Sequence, residues 1–278
     1  MLHIGALIDR APGRKYIGAL RFAELALRPP LPRANTLASI RKALPNDFVL
    51  ALRAPRSAVV SARGPLREDA ELLAAVTSTH EAATALQARA VIFHTPADFT
   101  PGARSKELLR AYVEKLPRVP ERHYVWAAQG AWEPEEMQAL CTELGLVRAF
   151  DPLESKSSPG EVVYATLRAL GHRAGFSFSS LEDAVTRTME HGPSEAFLSV
   201  DADKSFDVAR RIKGIVSQAI AETAAEDDFD GDDDEDEDLG DDVSDDSDDD
   251  VSDDDVSDDD ASDDDASDED DADEEPRR

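Results

Sequence analysis

Ala90-Val91-Ile92-Phe93-His94 is a short apolar run with β-branched residues; after a loop containing Pro96 come Lys106–Leu116, with helical period, and then a second strand-like run, His123-Tyr124-Val125-Trp126. A strand, a helix and a strand in that order make a βαβ unit, whose two strands lie parallel. Working outward, the same alternation predicts strands at Leu2–Ile8, Leu20–Leu27 and Phe48–Arg53 on one side and at Val147–Phe150, Val162–Leu167 and Glu195–Val200 on the other. Helices are predicted over Asn35–Leu44, Glu68–Gln87, Glu133–Leu144, Leu181–Glu190 and Lys204–Ala224. In the segment Glu133–Leu144, Met137, Leu140, Cys141 and Leu144 recur at the spacing of one buried helix face, and Pro134 suits a first turn. Cys141 on that stripe reads as core rather than as a reactive thiol, since apolar surroundings raise a thiol pKa.

Eight parallel strands with helices between them close most naturally into a TIM-like (β/α)8 barrel, because closure removes both sheet edges; an open doubly wound sheet is the alternative. Two connections are too short for full helices. Asp9–Gly18, with Pro12 and Gly13, allows a turn or two, and Asp151–Glu161, with Pro152, Ser157, Ser158, Pro159 and Gly160, reads as loop, so the barrel is trimmed on that side. The barrel is assigned to residues 1–222 and a separate tail to 223–278.

Four segments carry a resemblance: Ile4-Gly5; Phe22-Ala23-Glu24-Leu25; Leu44-Pro45-Asn46-Asp47-Phe48 continuing to Arg53-Ala54-Pro55-Arg56; and Val91-Ile92-Phe93-His94-Thr95-Pro96-Ala97-Asp98-Phe99. Their order over residues 2–216 resembles the YecE-like family, the domain of unknown function 72, whose members are TIM-like barrels. The resemblance places Glu24 where the family has glutamate, Arg53 where it has lysine and His94 where it has glutamine. It also exposes departures. The loop after strand one lacks the family's Ser-Gly-Trp, and Trp126-Ala127-Ala128-Gln129-Gly130-Ala131-Trp132 stands where the family has Glu-Phe-Arg-His-Pro-Ser-Trp, keeping only Trp132. Thr166-Leu167-Arg168-Ala169 replaces Arg-Leu-His-Gly, and Val200-Asp201-Ala202 replaces Phe-Asn-Asn. Barrel chemistry sits at the carboxyl ends of the strands, so losing polar groups at three of them implies a changed or abandoned activity; the resemblance brings no reaction with it.

The strand-end polar residues are therefore the candidate site: Glu24, Arg53, His94 and Asp151 first, with Arg168 and Asp201 beside them. Glu24 and Asp151 suit acid–base work, His94 a proton shuttle and Arg53 an anion clamp. The structural alternatives are an internal Glu24–Arg53 ion pair and a hydrogen-bonded core histidine at position 94. The other histidines show no zinc-ligand spacing, and no phosphate-binding glycine motif follows a strand. Gly171-His172-Arg173-Ala174-Gly175, after the seventh strand, is a short candidate anion loop. The basic stretches Arg28–Arg33 and Arg53–Arg63 lack interleaved aromatics and read as solvated loops, so no direct nucleic-acid partner is expected.

Charge divides the chain in two. From Glu226 to Arg278 there are 34 acidic residues and two arginines, whereas the preceding residues hold 26 acids and 28 bases, so the pI of 4.4 belongs to the tail. The tail repeats Val251-Ser252-Asp253-Asp254-Asp255 with small variations and has too few apolar side chains to offset the entropy of ordering, so disorder is expected. Such a polyanion suits salt-sensitive capture of basic proteins or loose binding of Ca2+, and at the least keeps the domain soluble. Asp228, Asp230, Asp234 and Glu237 fall in an EF-hand-like register, but no apolar helix follows, and accidental matches abound in such a run. Ser252, Ser257, Ser262 and Ser267 each precede three acids, the preference of acidophilic kinases. No dedicated cofactor is expected. One cysteine and no long apolar run point to a cytoplasmic protein without a membrane partner, and abundant arginine and alanine point to a GC-rich bacterial genome.

Overall fold

The computed structural model describes residues 1–157, 159–169 and 175–227. Its eight barrel strands are β1 (Leu2–Ile8), β2 (Phe22–Leu25), β3 (Val49–Arg53), β4 (Ala90–Thr95), β5 (His123–Ala128), β6 (Val147–Phe150), β7 (Val162–Arg168) and β8 (Glu195–Asp201). They pair in parallel, each with its sequence neighbour, and the ring closes where β1 pairs with β8, Leu2 opposite Ala196 through Ala6 opposite Val200. The open-sheet alternative is thereby excluded.

Among the described residues seven helices stand around the ring: α1 (Arg14–Ala19), α2 (Ala34–Lys42), α3 (Ala70–Ala85), α4 (Ala103–Glu114), α5 (Pro134–Leu144), α6 (Phe178–Met189) and α7 (Ser205–Asp227). Their ends follow local rules. Asp69 caps α3 by accepting from the Leu72 N–H at 2.8 Å, Ser177 caps α6, and Gly145 closes α5 at φ 63°, a left-handed conformation that favours glycine. The connection from β6 to β7 has no helix among its described residues, and α1 has only six residues, so the trimming falls where the prolines and glycines predicted it. A short hairpin, Val60–Ser61 with Gly64–Pro65, interrupts the β3–α3 connection and was not foreseen.

The period-two pattern of the strands sorts side chains into two apolar bodies. Leu50 and Leu52, Val91 and Phe93, and Tyr124 and Trp126 join the outer core between sheet and helices, while Ala51, Ile92 and Val125 pack together inside the ring with Phe22, Tyr164 and Phe197. Gly5 makes this inner packing possible, because a Cβ there would lie 2.2 Å from the Phe22 carbonyl oxygen and 2.8 Å from its ring. Cys141 is buried in the outer core, and burial pushes its thiol up to about 12. No helix among the described residues is long and apolar enough to cross a membrane.

Candidate functional site

An aromatic column runs up the inside of the barrel. His3 stacks on Phe197 at 5.1 Å and Phe197 on Tyr164 at 5.6 Å, and the Tyr164 hydroxyl donates to Glu24 Oε2 at 2.9 Å. Glu24 is fully buried on β2. Its other oxygen accepts from Arg53 Nε at 2.6 Å, and the two terminal nitrogens of Arg53 each reach Asp201 Oδ2 at 3.1 Å. β2, β3 and β8 thus contribute one group each to a carboxylate–guanidinium–carboxylate bridge across the carboxyl end of the barrel, and β7 adds the tyrosine that donates to it.

Burial opposes ionisation of Glu24, but Arg53, then His94 and Ser199, outweigh it and hold the carboxyl below its usual range. Burial first, and Glu24 next, push the Tyr164 phenol well above its usual value, so it serves as a neutral donor. His94 on β4 feels the same charges: burial, with Arg53 behind it, lowers its pKa to about 4 although Glu24 and Asp201 pull the other way. The imidazole is therefore neutral near pH 7. Among the described residues its buried Nε2 has no hydrogen-bond partner, and the buried Ser199 Oγ, which faces Glu24 and Tyr164, makes no bond of good geometry either.

Of the four leading candidates the structure brings three together, Glu24, Arg53 and His94, with Asp201 as the fourth member. Asp151 does different work. Its Oδ1 accepts from the Leu153 N–H at 3.0 Å and its Oδ2 from the Arg168 N–H at 3.1 Å, which shapes the β6–β7 loop. Burial raises its pKa while those two backbone donors act against the rise. Arg168 is drawn to the same loop, reaching Asp151 at 3.5 Å and Glu154 at 3.0 Å. Trp132 fixes the β5–α5 loop on the β4–α4 loop by donating from its ring N–H to the Phe99 carbonyl at 2.6 Å.

Asp201 also lines a cavity of about 940 Å3 at this end of the barrel, together with Asp9, Arg10, Lys15, Asp203 and Phe206. Neither Glu24 nor His94 lines it, so Asp201 is the link between cavity and buried network. Residues 171–174 of the glycine–arginine segment, and the acidic tail from residue 228 on, with Asp228, Asp230, Asp234 and Glu237, lie outside the described residues. Among the described residues no group of three or more His, Cys, Asp or Glu side chains is disposed to hold a metal ion.

Tyr164 and Ser199 escaped the sequence reading because a tyrosine and a serine inside apolar strands look like packing. A second polar cluster, at the amino ends of the strands, escaped for another reason. Glu195 binds Arg89 (3.1 Å), His123 (2.9 Å) and His3 (3.4 Å), and these come from separate strands and loops, so no local spacing announces them.

Solved structures share this architecture. A DUF72 family protein from Thermotoga maritima is similar over 78% of this chain and 99% of its own, with a TM-score of 0.59 at 14% identity. A DUF72 family protein from Enterococcus faecalis is similar over 78% and 98%, with a TM-score of 0.58 at 13% identity. An L-ribulose 3-epimerase is similar over 84% and 100%, with a TM-score of 0.51 at 13% identity. No protein-family model matches the chain, and no curated protein matches it in sequence. At these identities the likeness is one of fold.

Proposed function

We propose that this chain is a diverged YecE-like barrel that works by binding or regulation rather than turnover, taking a small, neutral, hydroxyl-bearing ligand in the cavity against Asp201. The observation that carries this reading is the engagement of Arg53: its guanidinium is spent on Glu24 and Asp201, leaving no free cation among the described residues of that network to clamp an anion. Asp151, the intended second acid–base carboxylate, is likewise spent on backbone N–H groups. The cavity wall mixes Asp9, Asp201 and Asp203 with Arg10 and Lys15, so its charges nearly balance and hydrogen bonding decides what binds. The fold likeness to an epimerase that acts on a sugar is compatible with such a ligand. The polyanionic tail adds a second, salt-sensitive function, the capture of basic proteins or divalent cations.

Calorimetric titration with a panel of neutral sugars and their phosphates tests the first part. Neutral sugars are expected to bind without being converted, and Asp201→Asn to weaken them at least tenfold. The second reading, a small-molecule enzyme acting on an anionic or phosphorylated substrate, draws on the neutral, unpartnered Nε2 of His94 as a proton acceptor. Conversion of any panel member that disappears in His94→Gln would replace the binding reading with this one.

A further inference from the structure

The β6–β7 connection, which has no helix among its described residues, leaves a cavity of mixed polar and apolar lining where a helix would otherwise cover the outer face of β6. Arg148 points to that face, with its guanidinium 5.5 Å over the ring of Phe150. It is only 7% exposed and pairs with no carboxylate among the described residues. One terminal nitrogen donates to the Lys156 carbonyl at 2.7 Å, which brings the guanidinium beside the next residue, Ser157. Among the described residues, Arg148 Nε and Ser157 Oγ are both buried without a hydrogen-bond partner. Both residues line the same cavity of about 300 Å3, together with Gln138 and Thr142 of α5 and the exposed Glu161.

A buried guanidinium without a counter-charge costs several kcal/mol, and each unmade buried hydrogen bond costs about 1–3 kcal/mol. Two such donors, on residues that line one cavity, are better explained by an acceptor arriving from solution than by packing. A strong acceptor carrying negative charge satisfies both at once, since Arg favours oxyanions and a serine hydroxyl rotates to donate. We propose that Arg148 and Ser157 form a binding site for a small oxyanion of the phosphate type, on the flank of the barrel and apart from its mouth. Glu161 opposes the anion and, being exposed, is screened by solvent. Burial lowers the Arg148 pKa although Cys141 and Glu135 pull the other way, the sign expected of a buried guanidinium that makes no salt bridge.

The test uses the full chain and inorganic phosphate, with a phosphate monoester such as glycerol phosphate as a second arm and sodium chloride of equal ionic strength as the control. Phosphate is expected to raise the melting temperature over chloride and to give a saturable calorimetric isotherm. A tighter monoester would place the anion on a larger molecule, and equal affinity would identify free phosphate; both keep the site. Ser157→Ala is the decisive variant, because its hydroxyl makes no bond without a ligand. It should keep the melting temperature of the wild type in chloride while binding phosphate three- to tenfold more weakly. Arg148→Met should abolish binding, and Arg148→Lys should restore part of it. No phosphate response beyond chloride, or an unchanged affinity in Ser157→Ala, would overturn the proposal even if Arg148→Met failed to fold.

Discussion

Arg53 holds two carboxylates, and removing it leaves Glu24 buried and unpaired. Arg53→Met is expected to cost about 3–5 kcal/mol in chemical denaturation, and the double variant Glu24→Leu with Arg53→Met less than that, because no orphan charge remains. His94 supplies a pH signature. It takes up a proton near 6.5 when unfolded and near 4 when folded, so between those values the unfolded chain holds more protons and stability falls as pH drops. From pH 7 to pH 5 the fall attributable to His94 is roughly 2 kcal/mol; unfolding free energies from urea titrations at the two pH values should differ less in His94→Gln than in the wild type by about that amount. The Glu24–Arg53 contact was legible in the sequence as a pair of opposite charges two strands' ends apart, and both its readings were open. What the sequence hid was the surroundings: Tyr164, Ser199 and the reach to Asp201 depend on the lumen closing, which no local pattern encodes.

At the scale of elements, the β1–β2 seam depends on Tyr16 of α1. Its hydroxyl accepts from the Ala6 N–H at 2.8 Å and donates to the Phe22 carbonyl at 2.7 Å, joining two strands whose register sets Gly5 against Phe22. Tyr16→Phe strands both backbone groups in a buried place and is expected to cost about 2–4 kcal/mol. Gly5→Ala meets the Phe22 carbonyl and should cost at least as much, on the order of 3 kcal/mol, through overpacking; thermal melts of the two variants check both. All eight strands were readable from apolar runs; Leu2–Ile8 and Val147–Phe150 keep their predicted bounds, and the ends of the others move by one or two residues. The strand predicted over Leu20–Leu27 shortens to Phe22–Leu25 because pairing with β1 and β3 ends there, while α7 runs on to Asp227, past the predicted Ala224. The hairpin at Val60–Pro65 has two-residue strands, too short for any period to show.

Taken whole, the molecule couples a nearly neutral barrel to a segment of extreme charge, and the two should separate cleanly by experiment. Residues 1–227 are expected to lose the partners that the full chain captures from lysate at low salt, and the full chain to release them at about 0.5 M salt, where the screening length is only a few ångströms. Partners kept by the shorter chain at high salt would assign the interaction to the barrel. The closing seam has a further consequence, and it concerns time. β1 pairs with β8, whose residues come nearly two hundred positions later, Leu2 meeting Ala196. At about 5–20 residues per second, roughly 10–40 s of synthesis pass between the emergence of the first strand and its last partner. Throughout that interval the nascent sheet carries an apolar, unpaired Leu2–Ile8 edge, the kind of edge that templates aggregation, so the yield of folded protein should depend on how fast the ribosome delivers Glu195–Asp201 and on what shields β1 until then.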